Sequence, residues 1–159
     1  SYARTIASKY KMNAIIEQVS LCGLLHDLGK IVLLSVDLDV TQWIAKLVSD
    51  RRIRTSTVME EISIGISHSG IGELIASKWQ LPEYLINAIK YHHAPLSADS
   101  RFKDIVFVTY LANLLCGIES RRYFYYYCDD EVSRYFTLQS KYDFENLGKL
   151  CQDIYNKLK

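Results

Sequence analysis

Between Leu21 and Leu34 the chain runs Leu-Cys-Gly-Leu-Leu-His26-Asp27-Leu-Gly-Lys30-Ile-Val-Leu-Leu, an apolar stretch that holds three ionisable side chains within five residues. Leu21, Leu24, Leu25 and Leu28 recur at the i, i+3, i+4, i+7 spacing of a helix buried along one stripe, which sets His26, Asp27 and Lys30 beside a core. An imidazole, a carboxylate and an ammonium taken out of water cost roughly several kcal/mol unless they pair or hold a metal. The stretch therefore predicts a central buried helix and a set of polar partners that meets it.

At 159 residues, 49% of them hydrophobic, the chain suffices for one domain with a substantial core. A formal charge of +1 with no basic stripe gives no electrostatic reason to expect nucleic acid or an anionic membrane as partner. Charges break the apolar stretches before a spanning length, and the start has no signal-peptide layout, so the expected location is cytoplasmic. Cys22, Cys116, Cys128 and Cys151 form no Cys-x-x-Cys pair, and three fall on apolar helical faces, as free core thiols do. An opening Ser1 in place of Met is expected of a piece of a longer chain.

The remaining periodicity is helical. Ala3, Ile6, Ala7 and Tyr10 form a short amphipathic helix; Gly29 is a candidate end for the central one, with Ile31 to Leu34 as a further buried turn. Asp39 or Thr41 can cap a helix carrying Trp43, Ile44, Leu47 and Val48 that stops at Ser49 to Ser56. Thr57 with Glu60 three residues on has the pattern of a capping box. His68 introduces a helix with Ile71, Leu74, Ile75 and Trp79, and Leu81-Pro82 starts the next, whose inward face holds Leu85, Ala88, Ile89 and His92 until Ala94-Pro95 ends it. From Ile105 to Ile118 the chain is apolar almost all round apart from Thr109 and Asn113, and two helices follow near 131–139 and 144–158. With no hairpin signal or repeat, the expectation is an all-α fold, a single multi-helix bundle over 1–159. Its core should include Leu24, Leu25, Leu28, Ile75, Leu85, Ile89, Ile105, Val108, Ala112 and Leu115.

None of the chain's four histidines falls on a plainly solvated face: His26 adjoins Asp27, His68 starts a helix, and His92 with His93 ends one. Imidazole and carboxylate groups arriving from three segments are what a divalent metal needs for several ligands at once, so these five residues form one candidate site. Other motifs are weaker. Gly23 to Lys30 is one residue too long for a phosphate loop, and Ile31 stands where Ser or Thr should bind magnesium. Ser67 and Ser69 lack a nucleophile elbow. The aromatic run Tyr123 to Tyr127, behind Arg121 and Arg122, suits core packing first, a partner surface second and base stacking last.

Leu-Leu-His26-Asp27-Leu-Gly-Lys30 resembles the signature of the HD superfamily of metal-dependent phosphohydrolases, a helical fold. Glu60-Glu61-x-x-x-Gly65-x-x-His68-x-x-x-Gly72, then Trp79-x-Leu81-Pro82 and Ala88-Ile-x-x-His92-His93-x-Pro95, resemble the HDOD domain, the HD-related output domain of bacterial signalling proteins. The resemblance covers nearly the whole chain but only the HD-like part of that domain, without the helical layer that precedes it. It implies that His26, Asp27, His68, His92 and His93 ligate a divalent metal (Fe, Mn, Mg or Zn) and that Lys30 contacts substrate phosphate. The superfamily's last ligand is an Asp on a later helix, where Val-Thr-Tyr-Leu-Ala-Asn113 has an amide, and its first histidine would fall before Ser1. The cyclic-dinucleotide phosphodiesterases of the superfamily carry Glu and then Gly-Tyr-Pro after the paired histidines; here Ala94-Pro95-Leu96 follows.

Two functions are expected from these residues. One is a non-catalytic regulatory module that binds signalling proteins or other domains of its parent chain, with a retained or degenerate metal site and room for a nucleotide or phosphate ligand. The other is a metal-dependent phosphohydrolase using the His/Asp cluster with Lys30. Asn113 separates them.

Overall fold

The computed structural model describes residues 1–36, 38–51 and 56–157. Among them the regular structure is entirely helical: α1 (Tyr2–Lys9), α2 (Ile16–Leu25), α3 (Leu28–Val36), α4 (Leu38–Arg51), α5 (Thr57–Ile64), α6 (His68–Lys78), α7 (Glu83–Tyr91), α8 (Lys103–Glu119), α9 (Asp130–Tyr135) and α10 (Lys141–Lys157). The all-α expectation holds. Helix α8 is central: Ile105 to Ala112 are all buried, and α1, α2, α7 and α10 pack around it. Helix α6 bridges α3 and α7.

The central apolar run departs from expectation. It is two helices that turn at His26–Asp27, and Gly29 lies inside the second. Leu24 is 76% exposed and Leu21 is exposed too; Val19 and Cys22 face the core, while Leu25, Leu28 and Ile75 are half-buried. Because α2 is apolar on every side from Leu21 to Leu25, spacing alone could not select its inward face there. Leu85, Ile89, Ile105, Val108, Ala112 and Leu115 are buried as expected. Contrary to the expectation that charge cuts it short, the 23-residue stretch Asn13–Ser35, mean hydropathy 1.2, is long and apolar enough to cross a membrane by length and composition. In the fold it turns at the polar pair in its middle.

Helix α4 begins at Leu38, ahead of the suggested caps, and part of its expected stop, residues 52–55, lies outside the described residues. Ser67 caps α6 by accepting from the Gly70 N–H, and Pro82 precedes α7. The four cysteines are free; Cys22 and Cys151 are buried, Cys128 half-buried and Cys116 exposed. Close approach explains Gly29: a Cβ there would stand 1.9 Å from the His68 carbonyl oxygen and 2.8 Å from the Gly72 nitrogen. The missing side chain lets α3 lie against the first turn of α6, which brings Asp27 to His68.

Candidate metal centre

The α2–α3 turn, the start of α6 and the end of α7 meet at one place, and with them His26–Asp27, His68 and His92–His93. One ligand atom from each of Asp27, His68, His92 and His93 lies within 4.8 Å of every other. His68 and His92 are fully buried.

The hydrogen bonds fix which nitrogens face inward. His92 Nδ1 lies 2.7 Å from the Ile89 carbonyl oxygen and His26 Nδ1 lies 3.2 Å from that of Gly23, so each Nδ1–H donates and each Nε2 keeps its lone pair. His68 Nδ1 lies 2.7 Å from Glu60 Oε2, which also accepts from the His68 backbone N–H at 2.8 Å. A carboxylate behind an imidazole orients the ring and raises its basicity toward a metal. His68 Nε2 then faces His92 Nε2 at 3.2 Å and His93 Nε2 at 3.1 Å. Lone pairs opposed at that distance repel unless a proton or a cation lies between them. Nitrogens 2.0–2.1 Å from one tetrahedral zinc are themselves roughly 3.3 Å apart, close to the separations seen here.

Asp27 divides its oxygens. Oδ2 accepts from Lys30 Nζ at 2.8 Å and lies 3.4 Å from His26 Nε2. Oδ1 lies 3.4 Å from Nε2 of both His68 and His92. Asp27 Oδ1 and His26 Nε2 are buried without a hydrogen-bond partner among the described residues. The orphaned Oδ1 faces the Nε2 atoms of His68 and His92, as a carboxylate that would share a cation with them does.

Protonation follows from burial and charge. Burial lowers His26 to about 4 against the pull of Asp27, and it lowers His92 and, further, His93, which the neighbouring imidazoles push down as well. Burial would raise Asp27, but the close His92 and His26 rings and the charge of Lys30 outweigh it and hold the carboxyl below its usual range. Burial likewise opposes ionisation of Glu60, and the His68 contacts prevail. Neutral imidazoles beside an ionised carboxylate are the forms that ligate.

Asn113 on α8 is half-buried and borders a cleft of about 20 Å³ with His92 and His93, room for one water or ion; its other side lines a cavity with His26. His26 itself stands outside the group of four, across the Asp27 carboxylate. Glu60 is the residue whose role the sequence hid. In place of a capping box, Ser56 is the N-cap and donates to Glu60 Oε1 at 2.5 Å, while the other oxygen serves His68. The link depends on the reversal at Gly65, whose φ of 89° turns α5 back toward α6.

A model of the HDOD domain matches residues 1–95. The chain belongs to the HDOD domain family. This HDOD chain is 25% identical over 154 residues to an uncharacterized protein of Treponema pallidum (strain Nichols), covering 97% of itself and 30% of that relative. A crystal structure from Shewanella amazonensis SB2B, named as a candidate phosphohydrolase, superposes with a TM-score of 0.68 at 18% identity, over 96% of this chain and 55% of that one. That likeness establishes a shared fold of HD type. The chain thus spans about a third of the one protein and about half of the other.

Proposed function

We propose that this HDOD domain is a regulatory module of cytoplasmic signalling, in which Asp27, His68, His92 and His93 hold one divalent cation and output passes through protein contacts. The convergence of those four donor atoms within 4.8 Å carries the reading. Four protein donors fill a tetrahedral shell, the arrangement of structural centres, whereas catalytic centres keep a position open. Three imidazoles favour zinc, iron or manganese over magnesium. A cation bound here would supply Lewis acidity, and a more acidic coordinated water only if a donor left the shell. The chain's own residues favour retention over turnover: Lys30 already occupies one oxygen of Asp27, and Asn113 gives the cleft an uncharged amide in place of a second carboxylate. Exposed Leu21, Leu24 and Ile31 on α2 and α3 offer apolar surface to a protein or a neighbouring domain.

The alternative, a metal-dependent phosphohydrolase, is favoured by Lys30, which lines a large cavity while touching the cluster through Asp27. Metal content and phosphodiester turnover with magnesium, manganese, iron and zinc, compared among the unmodified protein, Asn113→Asp and His26→Ala, separate the two. Retained metal without turnover, and turnover gained in Asn113→Asp, support the regulatory reading. Turnover by the unmodified protein that His26→Ala abolishes overturns it.

A further inference from the structure

Beside the cluster, a cavity of about 430 Å³ opens between α3, α4, α5 and the turn that follows α8. One wall is aliphatic: Leu33, Leu34, Ile44, Ala45 and Val48. The other carries Arg121, Arg122 and Tyr123, with Lys30 and Glu60 between. A volume of this order suits a small molecule.

The polar groups limit what that molecule is. Thr41 donates to the Leu33 carbonyl at 3.3 Å, and Ser56 donates to Glu60, whose second oxygen serves His68. These groups are committed, so a nucleobase would find little on the wall to read its edges. The cations differ. Arg122 donates through Nε to Ser120 Oγ at 2.9 Å, which leaves its terminal nitrogens to the cavity, and the Arg121 guanidinium makes no hydrogen bond or ion pair among the described residues, its backbone N–H alone donating, to the Ile118 carbonyl at 3.0 Å. Arg121 also occupies a costly position. Its φ is 58°, and the Arg122 N–H donates to the Gly117 carbonyl at 2.8 Å, so it sits at the left-handed C′ site of a helix end where glycine fits without strain. Three other helix ends of this chain, at Lys11, Gln80 and Thr137, close in the same left-handed way, so the backbone marks no function by itself; the unpaired guanidinium at a cavity mouth is what makes Arg121 an anion-binding candidate.

We propose that this cavity binds a small anionic amphiphile, its phosphate or carboxylate head met by Arg121 and Arg122 and its hydrocarbon body laid along α3 and α4. The assignment goes beyond the regulatory reading and does not depend on a cation in the cluster. A neutral body of the same length lacks the charge-assisted contacts, and a bare oxyanion lacks the apolar contact, so each alone should bind weakly.

Titration calorimetry with decyl phosphate and decanoate, below micelle formation, against decanol, inorganic phosphate and adenosine monophosphate tests this. Saturable one-to-one binding of decyl phosphate or decanoate is expected, with decanol and inorganic phosphate about tenfold or more weaker. Arg121→Gly should weaken the amphiphile by about tenfold while the melting temperature stays level or rises, an outcome that loss of fold cannot produce. Val48→Trp, filling the aliphatic wall, should abolish binding in a protein that still melts cooperatively. Equal binding of decanol, tighter binding of the nucleotide, an unaffected Arg121→Gly, or capture by anionic phosphatidylglycerol vesicles with no binding of the monomeric probes would each overturn the proposal.

Discussion

Gly29 shows how one absent methyl group can hold a site together. Alanine there would put its Cβ 1.9 Å from the His68 carbonyl oxygen, backbone that cannot swing aside, so α3 must leave α6 and carry Asp27 with it. Gly29→Ala should cost on the order of 3 kcal/mol in urea unfolding and strip the protein of its cation, the second loss exceeding what general destabilisation gives. The histidines set the response to acid. A histidine whose folded pKa lies below its unfolded one stabilises the fold fully above the ordinary value near 6.5, and that stability drains as pH falls toward the folded value, about 4 for His26. His92 and His93 are shifted in the same direction. Asp27 is shifted in the same direction and its contribution also drains as pH falls, but only below the ordinary carboxylate range, because the carboxyl is held beneath it. Cation-free protein should therefore lose on the order of 2–3 kcal/mol between pH 7.5 and 4.5 from His26 alone, seen as a falling urea midpoint. A flat midpoint would mean that the buried imidazole carries charge.

Helix ends in this chain are made without glycine in several places. Lys11, Gln80, Arg121 and Thr137 all have φ between 54° and 59°, and the residue after each donates to the carbonyl at the top of the closing turn: Met12 to Ala7, Leu81 to Ala76, Arg122 to Gly117 and Leu138 to Ser133. Gln80 is exposed and distant from the cluster, so Gln80→Gly should raise stability by about 0.5–1 kcal/mol through relief of left-handed strain, measured by thermal unfolding. At this scale the sequence was informative where a helix has one clear face. Leu85, Ala88, Ile89 and His92 mark the inward side of α7, and the near-continuous apolar character of α8 announces its central place. It was misleading where a helix is apolar all round, as at Leu24, and where a polar pair turns the chain inside an apolar run, as at His26–Asp27. Glu60 was out of reach for a different reason. Its eight-residue separation from His68 matches no helical period, and the contact exists only because the chain reverses at Gly65.

Across the whole molecule the donors are far apart in sequence: 40 residues separate Asp27 from His68, and 23 separate His68 from His92. A cation that binds only the folded arrangement stabilises it by mass action, about 2.7 kcal/mol at a hundred times its dissociation constant. Removing it with a chelator should lower the melting temperature by about 5–10 °C for a domain of this size, and added zinc or manganese should restore it; an unmoved transition would deny the cluster a resident ion. Two side chains belong to both the cluster and the large cavity: Glu60 accepts from His68 and lines the cavity, and Lys30 holds Asp27 and lines it too. Their double membership closes a thermodynamic square. Whatever factor the ion imposes on the affinity for an amphiphile, the amphiphile imposes on the affinity for the ion, so one titration repeated with and without chelator measures the coupling from either corner.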